Sequence, residues 1–174
     1  MFKIDVSVKG TSPLLQHRFP EEDNPEHKST RKKLVHNAQD DAEKALYRSP
    51  DGIVHQPATH LEMTMVKAAT AFKMESKKTF KDAFKGGVFV EPDTIPHKIQ
   101  KWEVDKRPVV IQKARIMRAR PRFDKWELDF TITVTDDRIS SNILKEILDY
   151  AGLYVGIGDF RPRFGRFMVT KFEG

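Results

Sequence analysis

The sequence predicts an α+β domain whose core elements run in the order β-α-β-β-α-β. Three observations carry that expectation. Residues 2–9, "FKIDVSVK", alternate strictly, with Phe2, Ile4, Val6 and Val8 on one side and Lys3, Asp5, Ser7 and Lys9 on the other, the period of a half-buried strand. Residues 126–134 repeat the pattern more cleanly: Trp126, Leu128, Phe130, Ile132 and Val134 alternate with Glu127, Asp129, Thr131 and Thr133. Apolar residues also recur at helical spacing in two separate segments, 61–72 and 143–151.

Taken in order, the first strand stops at Gly10. Residues 11–30 contain three prolines and no sustained period, which reads as a long excursion or mobile flap. From Arg31 to Tyr47, Leu34, Ala38, Ala42, Ala45 and Leu46 follow helical spacing. "SPDG" then turns the chain, with Gly52 supplying a permissive backbone, and "IVHQP" reads as a strand fragment. Thr59 to Glu62 has the T-x-x-E form of a capping box, which would satisfy two orphan amides at a helix start. The following helix is expected to bury Leu61, Met65, Ala68, Ala69 and Phe72. "GGVFVEP" reads as a short strand. Residues 93–108 are polar with two prolines and read as a loop. "PVVIQKARIMRARPRF" reads as one extended strand, partnered by "KWELDFTITVTDD". Ser140 or Ser141 can cap a helix that buries Ile143, Leu144, Ile147, Leu148 and Ala151 and ends at Gly152. "RFMVTKF" closes the chain as a final strand.

With the insertions at about 11–56 and 93–108 set aside, this order is that of a modified ferredoxin-like, or RNA-recognition-motif-like, fold. At 174 residues the chain fits one domain, 1–174, and can bury a core without disulfides or structural metals. It has no cysteine, which excludes disulfide scaffolds, zinc-thiolate sites and thiol catalysis. That absence fits a reducing cytoplasm, the location expected here. The N-terminal segment carries charge from its third residue, unlike a signal peptide. No apolar run approaches the roughly 20 residues that cross a bilayer.

The net charge of +6 and pI near 9.5 favour a polyanionic partner, and the distribution of charge is more informative. Between Arg107 and Lys125 lie seven basic residues and one acid, Asp124. Strand parity sets Lys113 and Arg115 apart from Arg118 and Arg120. A bulge near Ile116 and Met117 would bring all four to one side. A solvated edge strand guarded by charge is the competing explanation. Guanidinium groups match phosphate geometry and stack on bases. The C-terminal stretch 152–167 adds Arg161, Arg163 and Arg166 among Tyr154, Phe160 and Phe164. Cations interleaved with aromatics suit single-stranded nucleic acid.

The same stretch holds Gly156, Gly158 and Gly165. Glycines permit positive φ and let backbone amides approach a phosphate. The stretch lacks the Gly-Lys-Ser/Thr of a P-loop, and it follows a helix and precedes a strand, the reverse of a dinucleotide fingerprint. "VGIGDFRPRFGRFMV" resembles the glycine-rich loop between the last helix and last strand in the RAMP superfamily. These are the repeat-associated proteins that form the guide-RNA-binding backbone and the RNA-processing subunits of CRISPR effector complexes. "VKGTSPLLQHR" is similar to the Ser-Pro-Leu segment that opens many of them, and "IVHQPATHLEMTMVKAA" to their entry into the first core helix. The resemblance implies an RNA-binding protein with Gly156, Gly158, Arg161, Arg163 and Gly165 near the RNA backbone. It also implies finger-like or thumb-like insertions at 11–30 and 93–108. The chain is short for a backbone subunit, which points to a minimal or phage-encoded relative.

RNA-processing members often use a histidine as general acid or base, and His17, beside Arg18 and after the first strand, is the candidate here. The expectation is a non-catalytic, largely backbone-directed binder of single-stranded RNA. It would use Lys113, Arg115, Arg118, Arg120 and Arg122 together with Gly156, Gly158, Phe160, Arg161, Arg163 and Gly165. DNA is the other candidate polyanion, since arginine and stacking treat both alike. Assembly with like subunits is expected; a cofactor, a metal site or a membrane partner is not. The alternatives are a metal-independent endoribonuclease using His17, and a phage structural or assembly protein.

Overall fold

The computed structural model describes residues 1–19, 37–75, 77–111 and 113–174. Residues 20–30 of the expected excursion and the helical pattern across 31–36 lie outside them. The chain is α+β, built of antiparallel sheets and short helices. Its elements are β1 (Phe2–Gly10), β2 (Leu14–Leu15), α1 (Ala38–Lys44), β3 (His55–Pro57), α2 (Ala58–Ala68), β4 (Lys73–Glu75), β5 (Lys78–Thr79) and α3 (Lys81–Gly87). They continue with β6 (Val88–Glu91), β7 (Thr94–Pro96), β8 (Glu103–Ile111), β9 (Ala114–Phe123), β10 (Glu127–Val134), α4 (Ser141–Tyr150) and β11 (Phe167–Glu173).

The largest sheet has the order β11-β1-β10-β6, with every neighbour antiparallel. The alternation read in β1 and β10 places Ile4, Val6, Val8, Leu128, Phe130, Ile132 and Val134 in the core. Leu61, Met65 and Ala68 of α2 and Leu144, Ile147 and Leu148 of α4 join them in one buried cluster. Each of the larger aliphatic and aromatic side chains among them, removed from water, is worth roughly 1.5–3 kcal/mol. The opposite face carries Lys3, Asp5, Glu91 and Thr131, tied by a Lys3–Glu91 ion pair and an Asp5–Thr131 hydrogen bond.

A second sheet, β2-β9-β8, stands beside the first. Here the structure corrects three expectations. The run 108–123 is two strands of a hairpin and not one extended strand, paired from Glu103↔Arg122 to Ile111↔Ala114. The chain reverses between those last two residues, where Lys113 takes φ +70°, and β9 pairs with β8 and β2, leaving β10 to β1 and β6. No register shift occurs near Ile116 and Met117, so the expected bulge is not formed. Residues 93–108 hold β7 and the first part of β8, where a polar loop was expected. Prolines and charges obscured these strands because both tolerate an edge position.

Helix starts and stops also differ in detail. α2 begins at Ala58 with Pro57 in the capping position and no side-chain cap, so the Thr59–Glu62 capping box is not formed. The Ala58 amide donates instead to the Asp93 carbonyl (2.8 Å), and Glu62 Oε1 accepts from the Val90 amide on the sheet-edge strand β6 (2.9 Å). Ser140 caps α4, its Oγ accepting from the Ile143 amide. The helix does not end at Gly152. It continues through a π-helical turn, Ala151–Val155, to Gly156 at φ +73°, while Gly152 packs where a Cβ would strike Phe167.

This arrangement predicts opposite outcomes for the two residues of the supposed capping box. Thr59→Ala should change urea-unfolding stability by under about 0.5 kcal/mol. Glu62→Ala should cost about 1–2 kcal/mol by stripping an edge amide of its acceptor. Comparable losses in both variants would contradict it.

Candidate nucleic-acid interface

Segment 13–15 lies between two partners. Along one side Leu14 and Leu15 pair with Phe123 and Arg122 of β9. Along the other, the Gly165 amide donates to the Pro13 carbonyl and the Asp159 amide to the Leu15 carbonyl, both at 2.8 Å. The glycine-rich loop then closes on itself through the Ile157 amide and the Gly165 carbonyl (2.9 Å). Gly165, at φ +74°, approaches the Ile157 carbonyl so closely that a Cβ would collide with it, and Gly158 stands the same way against Leu15. These glycines therefore serve backbone-to-backbone packing. The amides of Gly156, Ile157, Asp159, Phe160, Phe164 and Gly165 all donate within the protein, and Gly156 and Gly165 are buried, so these amides are not free to cradle a phosphate.

Hairpin and loop meet across one face. Arg120 is almost fully buried, its Nε 2.9 Å from Asp159 Oδ2. That N–H is not aligned on the oxygen, so charge attraction rather than a directed hydrogen bond ties β9 to the loop. Asp105, also buried, receives Arg107 through Nε (2.7 Å) and Nη2 (3.0 Å). Arg122 stands 3.8 Å from the same carboxylate and 2.7 Å from Asp124. The Arg107 guanidinium lies 4.8 Å over the centre of the Phe164 ring, within cation–π range.

An open groove of about 780 Å³ runs between the two units, lined by Arg107, Arg122, Arg163, Arg166, Tyr154 and Phe164, with Pro13 and Pro162 at its sides. Asp105 fixes Arg107, and Asp124 holds Arg122. The side chains of Arg163 and Arg166 carry no ion pair among the described residues, and Tyr154 is exposed. Of the residues expected to bind RNA, Arg122 and Arg163 line this groove. Arg120 is committed to Asp159. Arg161 donates to Thr64 Oγ1 (3.2 Å) and lines a smaller cavity with Lys67, Tyr154 and Pro162. Lys113 and Arg115 are exposed toward the hairpin tip, and Phe160 is half exposed, 5.7 Å from Phe164 between ring centres. Arg107, Arg166 and Tyr154 stand in the groove although the sequence reading left them out of the site. Reading 93–108 as a loop concealed that Asp105 and Arg107 share one strand face with Arg118, Arg120 and Arg122.

No protein-family model matches the chain, and no curated protein matches it in sequence.

His17 lies apart from the groove, in a cavity of about 220 Å³ with Arg18, Lys44, Asp41, Met117 and Arg118. Burial, then the Arg118 charge, lowers its pKa, with Asp159 opposing and Arg120 adding to the lowering. The imidazole is thus neutral near pH 7. Deeper in, Gln16 Nε2 reaches the His55 carbonyl (2.9 Å), Gln56 Oε1 (3.1 Å) and His97 Nε2 (3.3 Å), and His97 packs 4.7 Å from Phe123. Burial, with a smaller contribution from His55, pushes the His97 pKa down to about 4. Among the described residues no three His, Asp or Glu side chains cluster to hold a metal ion, and no helix is long and apolar enough to cross a membrane.

The His97 environment sets a pH dependence. Its folded pKa lies below that of an unfolded histidine, near 6.5, so acidification protonates the unfolded chain first. Stability should be full above about pH 6.5 and fall by roughly 2–3 kcal/mol by pH 4.5. Urea melts at pH 7.5 and 4.5 check this, and a flat profile would contradict it. Removing the buried cation by Arg120→Ala should cost about 2 kcal/mol, since Asp159 loses its partner. Urea unfolding of this variant at pH 7.5 measures that cost.

Proposed function

We propose that this chain binds single-stranded RNA, chiefly through the sugar–phosphate backbone, in the groove between the β8–β9 hairpin and the glycine-rich loop. The observation that carries the reading is four arginines and the exposed ring of Tyr154 around one open groove, with Arg107 held by the buried Asp105 and Arg122 by Asp124. Anchored guanidinium groups lose little entropy on meeting phosphate, and an exposed ring such as Tyr154 accepts any base by stacking. The open face of the main sheet is a poor rival. Proteins that read RNA on such a face present aromatic platforms there, whereas its cavity is lined by Asp5, Glu91, Asp129, Thr131 and Lys171.

The core reads best as ferredoxin-like. In chain order the main sheet follows fourth, first, third, second strand, and α2 and α4 form the two crossovers. That order, with the glycine-rich loop preceding the last strand, supports kinship with the RAMP superfamily, with RNA as the favoured polyanion. Assembly with like subunits belongs to the same proposal, supported by the exposed Val110 and Met117 of the hairpin. The reading stays with binding rather than cleavage, because His17 lines a different cavity from the four groove arginines.

Fluorescence anisotropy with labelled octaribonucleotides and their DNA counterparts tests the proposal. Arg163→Ala with Arg166→Ala should weaken binding at least tenfold and reduce the slope of log affinity against log salt by about 1.4. Unchanged affinity and slope in a folded double variant would overturn it.

A further inference from the structure

Arg122 lines two cavities. Besides the groove, it borders a second cavity of about 350 Å³ at the base of the hairpin, formed with Ile99, Lys101, Trp102, Glu103, Asp124 and Lys125. The volume falls at the small end of ligand pockets, enough for a base with part of its sugar. Its composition differs from the groove's. Trp102 packs partly against the core and brings its indole to the wall. Lys101 and Lys125 are exposed and carry no ion pair among the described residues. Glu103 is likewise unpaired among the described residues, and Asp124 binds Arg122 through Oδ1, leaving Oδ2 as a further acceptor. Glu103 and Arg122 are register partners across β8 and β9, so that carboxylate and the shared arginine are held by strand backbone, with Trp102 immediately before β8.

We infer that this cavity is a nucleobase pocket for the strand lying in the groove, in which Trp102 stacks on a base and Glu103 and Asp124 accept hydrogen bonds from its exocyclic amino group. The inference rests on the proposed binding of a single strand in the adjoining groove. The chemistry selects the occupant. A planar ring beside an indole gains stacking energy. Carboxylates accept from amino groups and repel the carbonyl-rich edge of uracil. The two lysines lie where the flanking phosphates would pass. A strand crossing from the groove meets Arg122 as the common phosphate contact, so the pocket adds base preference to an interface that otherwise reads only backbone.

Intrinsic fluorescence isolates the pocket. The chain has two tryptophans; Trp126 is 1% exposed with its indole N–H donating to the Ser12 carbonyl, so Trp102 supplies the ligand-sensitive emission. The intact protein is titrated with unlabelled rC8, rA8 and rU8 while labelled forms report binding by anisotropy. Saturating rC8 or rA8 should quench the emission. rU8 should bind several-fold more weakly than rC8, and Glu103→Gln should narrow that difference. Trp102→Leu should lose the quench and roughly tenfold in affinity, while Trp102→Phe, which keeps a stacking ring, should retain most of the affinity. An anisotropy rise without quenching would overturn the pocket and leave the groove standing. Equal affinities for rC8 and rU8 would overturn the carboxylate assignment. No anisotropy change with any octamer would remove both pocket and groove.

Discussion

The structure depends on a close docking of backbone on backbone. Segment 13–15 is gripped on one side by β9 and on the other by the glycine-rich loop, whose Asp159 and Gly165 amides donate to Leu15 and Pro13. No side chain larger than hydrogen fits at Gly158 or Gly165 without striking a carbonyl. Because buried amides and carbonyls need partners, this docking satisfies a loop that would otherwise leave several unpaired. It also fixes the distance between two sheets that share no strand.

That distance creates the groove. Arg107 and Arg122 come from the hairpin, Arg163 and Arg166 from the loop, and Asp105 and Asp159 divide the cationic run between two tasks. Arg120 is consumed in holding loop to hairpin, while Arg107 is oriented by Asp105 and Arg122 by Asp124, both lining the groove. Charge density along the chain therefore overstates the cations available to a ligand. The positive field that remains is concentrated where walls of low polarity, Phe164, Pro13 and Pro162, limit screening.

The main sheet was legible because alternation of period two depends on nothing beyond the strand itself. Val6 and Leu128 could face nowhere but a core. The hairpin was not legible in the same way. Its turn has neither glycine nor Asn-Gly, the usual marks of a two-residue reversal, and Lys113 adopts φ +70° there because the paired strands on either side impose it. The capping box failed for a related reason: Glu62 found an unpaired amide on β6, a partner 28 residues away, that no local pattern reveals. Of the sequence candidates, Arg122 and Arg163 meet around one groove. The division of the arginines into structural and open residues waited on Asp105 and Asp159, which hold Arg107 and Arg120 respectively.

By itself, the sequence determined the α+β class, the buried faces of β1, β10, α2 and α4, the exclusion of thiol chemistry, and the basic, aromatic character of the C-terminal third. These follow from periodicity and composition, which act over a few residues. Only the tertiary structure decided which strands pair and which arginines are spent on buried carboxylates. It also decided that the glycines serve packing, and that Trp102 stands beside the groove. Each of those depends on contacts between segments far apart in the chain, and such contacts are set by the docking of whole elements rather than by the residues on either side of them.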